Sequence, residues 1–62
     1  MKIKDLLNSI DGPENYIYIV HYMGRTALLN YGQILDNDFM EQPFKTFDII
    51  RFNRKYYLII EV

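Results

Sequence analysis

The sequence lacks cysteine altogether and contains a single histidine among its 62 residues. Without thiols the chain cannot form disulfide bonds or thiolate metal sites, and one imidazole cannot build a histidine cluster. We therefore expect neither a bound metal nor a cofactor. A chain this short usually adds a disulfide, a metal or a partner subunit to its small core. Self-association is the remaining route, so we expect a homodimer.

The sequence also lacks long hydrophobic runs and an excess of charge of one sign. No segment approaches the ~20 apolar residues that a membrane-spanning helix needs, and the apolar run near the N-terminus is too short for a signal peptide. The formal net charge of −1 gives no strong attraction to nucleic acid or to an anionic membrane. These absences predict a cytoplasmic protein with one domain, residues 1–62, and no membrane partner.

The N-terminal segment has the apolar spacing of an amphipathic helix. Four aliphatic side chains recur at i, i+3, i+4 and i+7, which places them on one side of a helix; they are Ile3, Leu6, Leu7 and Ile10. Gly12 and Pro13 end the helix, since glycine tolerates a left-handed turn and proline cannot continue the hydrogen-bond ladder. A helix of residues 2–10 is too short to be stable alone in water, so we expect it to pack on a sheet.

Four segments rich in β-branched and aromatic residues are arranged in two pairs, residues 16–22 with 26–31 and residues 44–52 with 55–62. Gly24 lies between the first two, and Asn53-Arg54 lies between the last two, which predicts two β-hairpins. We therefore predict an α+β fold in which the N-terminal helix packs on one face of a four-stranded antiparallel sheet made of two hairpins. The opposite face is left without a covering layer.

The side chains form no arrangement that indicates catalysis. A nucleophile needs a base at hand, but the only imidazole, His21, lies in a predicted strand, where a hydrogen-bonded structural ring is the simplest interpretation. The three glycines do not form a phosphate-binding loop. We therefore predict that the protein is not an enzyme.

Two groups of residues are candidates for binding a partner protein. Tyrosine is enriched at interfaces because its rigid ring carries a polar tip, and three tyrosines share one face of the first predicted strand; packing in the core is the alternative. An acidic segment without a base could meet a basic partner surface or could simply be solvated. The predicted partner-binding residues are Tyr16, Tyr18, Tyr22, Asp36, Asp38 and Glu41.

Basic and aromatic residues are interleaved around the turn of the last hairpin. Such a combination binds single-stranded nucleic acid, with cations at the phosphates and rings stacked on the bases. The candidate contacts are Arg51, Arg54, Lys55 and Tyr57. The alternative is that these charges keep an exposed hairpin end from pairing with another chain. The net charge of −1 also argues against a nucleic-acid partner.

Both ends of the chain carry a resemblance to known proteins. The stretch Lys2-Ile3-Lys4-Asp5-Leu6-Leu7 with Ile10, the tyrosine-rich strand, the glycine turn and the closing Leu58-Ile59-Ile60-Glu61-Val62 resemble short, uncharacterised phage and prophage proteins of Gram-positive bacteria. Some such proteins inhibit host defence enzymes. The resemblance therefore implies an inhibitor that binds the surface of a host defence or nucleic-acid enzyme stoichiometrically. The alternatives are a single-stranded nucleic-acid-binding protein and an oligomeric sponge that traps a signalling nucleotide between subunits.

Overall fold

The structure is a computed structural model that describes residues 1–62, with three short α-helices, a 3-10 turn and four strands. The helices are α1 (Ile3–Ser9), α2 (Tyr31–Ile34) and α3 (Asn37–Met40), and the strands are β1 (Tyr16–Tyr22), β2 (Arg25–Leu29), β3 (Thr46–Phe52) and β4 (Lys55–Glu61). The predicted α+β class with four strands is confirmed. None of the helices has the length and apolarity that crossing a membrane requires.

The four strands form one mixed sheet in the order β2-β1-β4-β3. Strands β1 and β2 pair antiparallel, as do β3 and β4, but the two inner strands, β1 and β4, are parallel. The prediction of a purely antiparallel sheet is therefore wrong at its centre. The reason is the connection of residues 30–45, which carries the chain from the end of β2 back along the sheet before β3 begins. This connection joins the two outer strands, β2 and β3, which run parallel, and parallel strands require a crossover of a dozen or more residues.

The crossover is shaped by two short capped helices. At the start of α2, the Asn30 side-chain oxygen accepts a hydrogen bond from the Gln33 backbone N–H at 2.8 Å, and the Gln33 side chain accepts one from the Asn30 N–H at 2.9 Å. This reciprocal capping satisfies two backbone donors that the helix cannot pair itself. Ile34, at the end of α2, is completely buried. The crossover is therefore anchored to the core midway along its path.

Both hairpins turn through two residues with positive φ. The first turn uses Met23 and Gly24, with φ of 50° and 75°, and the second uses Asn53 and Arg54, with φ of 53° and 65°. Positive φ at both central positions is the geometry whose twist matches that of the flanking strands. Each turn thus contains one residue suited to this conformation and one, Met23 or Arg54, that is held in it by the strands.

The hydrophobic core forms on one face of the sheet only. Its seven buried side chains come from α1, α2 and the two inner strands; they are Ile3, Leu6, Leu7, Tyr18, Ile34, Leu58 and Ile60. Because side chains alternate between faces along a strand, Tyr18, Leu58 and Ile60 define one side, which we call the core face. The opposite side, which we call the open face, contains no fully buried residue.

The strand register assigns every sheet residue to one of these faces, because residues paired across neighbouring strands point to the same side. Val20 pairs with Ala27 and with Ile60 on the core face. Ile19 pairs with Leu28 and with Ile59 on the open face. The apolar side chains of the open face are Ile17, Ile19, Leu28, Ile50, Phe52, Tyr57 and Ile59.

Candidate functional site

The three candidate tyrosines of β1 all lie on the core face. Tyr18 is completely buried, and its hydroxyl donates a hydrogen bond to the Pro13 carbonyl oxygen. Burial disfavours the phenolate and raises the pKa of Tyr18 to about 12. Tyr16 is half-buried and tilts against Tyr56, with ring centroids 6.0 Å apart. Tyr22, with half of its surface exposed, is the most accessible of the three to a partner.

The three candidate acidic residues have different environments around α3. Asp36 caps the helix, because its carboxylate accepts a hydrogen bond from the Phe39 N–H at 3.0 Å. Asp38 is exposed in the first turn, and neither aspartate forms an ion pair. Glu41 follows the helix and pairs with Lys2 and Lys4 at 2.7 Å each. Glu41 therefore joins α3 to the start of α1, whereas the two aspartates leave their negative charge to the solvent.

The hydrogen bonds that Lys2 and then Lys4 donate lower the pKa of Glu41 to about 2. The same contact raises the pKa of the Lys4 ammonium group. Both groups are exposed, so solvent screens much of this attraction. The charge of Glu41 is nevertheless matched within its own chain, which removes it from the acidic surface offered to a partner.

An apolar groove of about 360 Å³ lies between β2 and α3, and we call it the α3–β2 groove. Its apolar walls are Val20, Ala27, Leu29 and Phe39. Polar groups lie at its rim: the exposed side chains of Tyr22 and Arg25 on the β1–β2 hairpin, together with Gln42. Arg25 forms no ion pair within the chain, so its guanidinium can donate hydrogen bonds to a ligand.

The groove includes one of the six predicted partner-binding residues. Tyr22 lines it, and Asp36 is hydrogen-bonded to the backbone of Phe39, which forms one of its walls. Sequence reasoning did not identify Phe39, Leu29 or Arg25 as site residues. The one local signal is the sequence of α3 itself, in which Phe39 follows exposed polar residues and is the side chain expected to turn inward.

The four candidate nucleic-acid contacts are not brought together on one surface. Arg51 lies on the core face, with its guanidinium 5.6 Å from the centre of the Tyr56 ring. Tyr57 and Lys55 lie on the open face, and Arg54 occupies the turn. Strand alternation explains this separation, because Arg51 pairs with Tyr56 rather than with Tyr57.

No group of three or more histidine, cysteine, aspartate or glutamate side chains converges on a point where a metal ion could bind. His21 lies on the open face, where its Nδ1 is 2.9 Å from the Thr26 hydroxyl. Comparison of the chain with protein-family models, with curated proteins and with solved structures finds no match. The groove and the open face are therefore the features from which a function can be inferred.

Proposed function

We propose that the protein is a non-enzymatic interaction module that binds a partner protein through the α3–β2 groove. The observation that supports this proposal is an apolar depression of about 360 Å³ beside an exposed tyrosine. A cavity of ~150 Å³ accommodates a benzene ring, so the groove has room for a large aliphatic or aromatic side chain. Protein interfaces obtain much of their affinity from a few such anchors inserted into pockets.

The charges around the groove describe the partner segment that fits. Asp36, the N-cap residue of α3, accepts a hydrogen bond from the Phe39 N–H but forms no ion pair. Its carboxylate beside this groove wall therefore favours a lysine or arginine next to the inserted side chain. Arg25 at the opposite rim favours a backbone carbonyl or a carboxylate. We therefore expect the partner to insert an apolar side chain that is flanked by a basic residue.

The class of partner follows from the resemblance to short phage proteins. In this proposal the partner is a host enzyme of defence or nucleic-acid metabolism, and the protein inhibits that enzyme by occupying its surface at a fixed stoichiometry. A binding protein of this kind needs no catalytic group of its own.

The experiment that tests the proposal uses the tagged protein as bait in a lysate of a Gram-positive bacterium, with recovered proteins quantified by mass spectrometry. The disruptive variant is Ala27→Arg, which puts a long charged side chain into the groove from an exposed position. The matched control is Leu28→Arg, which makes the same exposed change at the next residue but on the open face.

We expect a host protein that is recovered by the wild type and by Leu28→Arg, and whose recovery falls at least about tenfold with Ala27→Arg. The purified pair should titrate to a fixed ratio, and the enzyme should lose activity in proportion. Equal recovery by Ala27→Arg and the wild type would exclude the groove. Failure of the wild type to recover any protein above background would contradict the proposed function.

A further inference from the structure

We propose that the open face binds the open face of a second copy of this chain, about a two-fold axis that lies between the sheets and runs across the strands. This contact is separate from the α3–β2 groove, whose apolar walls come from the core face and from α3. The resulting dimer has two layers of sheet inside and the helices outside. It therefore leaves two grooves accessible to partners.

The first observation is the apolar band across all four strands of the open face. At its edges, Leu28 is 67% exposed, Phe52 64% and Ile50 41%. The remaining members are half-buried only by their neighbours in the sheet; they are Ile17, Ile19, Tyr57 and Ile59. Contiguous apolar surfaces of this kind are rarely left to water in a stable monomer.

The second observation is the size of the surface. The chain exposes 4556 Å², whereas a folded monomer of its mass, 7.5 kDa, is expected to expose about 4,250 Å². Three strands of seven residues and one of five span a plane of roughly 410 Å², without counting the relief of the side chains. That plane is more than half of the ~800 Å² that each partner contributes to a standard interface. The area is that of a weak, reversible dimer.

The third observation is the distribution of charge at the two ends of the band. Glu61 lies at the C-terminal end of β4, beside His21, and Lys55 lies at the N-terminal end of the same strand. Neither Glu61 nor Lys55 forms an ion pair within the chain. The open face therefore carries a free acid at one end and a free base at the other.

The opposite charges at the two ends of the open face determine which two-fold axis the dimer uses. A two-fold axis across the strands reverses the second sheet, so that Lys55 of each copy lies over Glu61 of the other, and the pair is formed twice. An axis along the strands would place Glu61 over the row of His21 and leave Lys55 without an acid. Two sheets that pack face to face keep their strand directions within about 30°, which the reversed orientation permits.

The same polarity favours a second copy over other occupants. An anionic membrane surface would match a face with cations alone, whereas this face carries both signs at opposite ends. Within the band the single charged group is Asp48, which lies on the edge strand β3 and accepts a hydrogen bond from the Ile49 N–H at 2.9 Å. It can remain hydrated at the rim of the dimer.

The test is sedimentation equilibrium of the purified full chain from about 1 to 500 µM. We expect a monomer–dimer equilibrium within this concentration range. Ile59→Lys, at the centre of the band, should weaken the dimer at least about 100-fold. Leu28→Lys should weaken it as well, and its exposed position leaves the fold intact, as circular dichroism can verify. The control is Leu35→Lys, an exposed leucine outside the sheet, which should dimerise like the wild type.

The orientation has its own test by charge reversal. Lys55→Glu and Glu61→Lys should each weaken the dimer about tenfold, because each creates two like-charge pairs, and the double variant should recover wild-type affinity. A mass that remains monomeric at 500 µM, or a wild-type affinity for Ile59→Lys and Leu28→Lys, would overturn the proposed contact. Loss of affinity in the double variant equal to the two single losses combined would overturn the axis. None of these results depends on whether the groove binds a host protein.

Discussion

The core face and the open face of the sheet are built from similar apolar side chains, yet the sheet residues that are fully buried all lie on the core face. Ile59 and Ile60 are neighbours in β4 with the same side chain, but Ile60 is completely buried and Ile59 is only half-buried. The difference lies in what covers each face, because the core cluster draws on residues of α1 and α2. Apolar composition therefore does not reveal which face of a strand a small domain buries, since the chain has only enough helix for one.

The largest effect that this comparison predicts is on stability. Ile60→Ala removes three carbons from the closed core and should lower the free energy of unfolding by about 3 kcal/mol. Ile59→Ala removes the same atoms from the open face and should cost about 1 kcal/mol or less, because that site is already partly in water. Urea unfolding of both variants at low micromolar concentration measures the difference.

The dependence of stability on protein concentration gives a second test with the same two variants. A dimer stabilises the folded chain by mass action, so the cost of Ile59→Ala should grow as the concentration rises above the dissociation constant. The cost of Ile60→Ala should be much less sensitive to concentration. Equal costs for the two variants at low concentration would show that the two faces do not differ as the structure indicates.

Two tyrosines offer a second comparison of the faces. Tyr18→Phe leaves the Pro13 carbonyl oxygen without its hydroxyl donor and should destabilise the fold by about 1 kcal/mol. Tyr57→Phe, on the open face, is the matched control and should change stability by less than about 0.5 kcal/mol. Thermal or urea unfolding at neutral pH measures both changes.

The pH dependence of the free energy of unfolding at alkaline pH tests the burial of Tyr18 separately. Its folded pKa of about 12 lies above the ordinary value of 10.0, so between these values the unfolded chain releases the proton first. Stability is therefore fully present below about pH 10 and falls as the pH rises toward 12. Tyr18→Phe should flatten this fall, whereas Tyr57→Phe should retain it. An unchanged alkaline limb in Tyr18→Phe would contradict the burial of the Tyr18 hydroxyl.

The N-terminal helix and the two hairpins could be predicted from local patterns in the sequence. The spacing of Ile3, Leu6 and Leu7 predicts α1, and alternation with turn residues predicts both hairpins. The parallel pairing of β1 with β4 could not be predicted, because it depends on the path of residues 30–45 and no local residue encodes that path. The two strand faces were separated correctly by alternation, but their roles depend on tertiary packing.

The candidate site was predictable only in part for the same reason. Tyr22 was identified from its strand, whereas Phe39 and Arg25 reach the groove only once α3 and β2 are brought together. Glu41 was assigned to an acidic surface because its neighbours in sequence are acidic. Its actual partners, Lys2 and Lys4, lie 39 and 37 residues away. Long-range pairs of this kind leave no trace in the local sequence.

The smallest predicted effect concerns the ion pairs of Glu41, which connect α1 and α3 on the core side of the sheet. The folded pKa of about 2 lies below the ordinary value of 4.5. The contribution of Glu41 to stability is therefore fully present above pH 4.5 and is lost as the pH falls toward 2. Glu41→Gln should lower the midpoint of urea unfolding slightly at pH 7 and flatten its decline between pH 4.5 and 2.

Because the ion pairs are exposed, 1 M NaCl should reduce the difference in midpoint between Glu41→Gln and the wild type at pH 7. Asp38→Asn is the control, since that carboxylate forms no ion pair, and it should retain the acid-induced decline. A decline in Glu41→Gln as steep as in the wild type would show that the two lysines do not hold this carboxylate, and that the helical layer is joined at this point by apolar contacts alone.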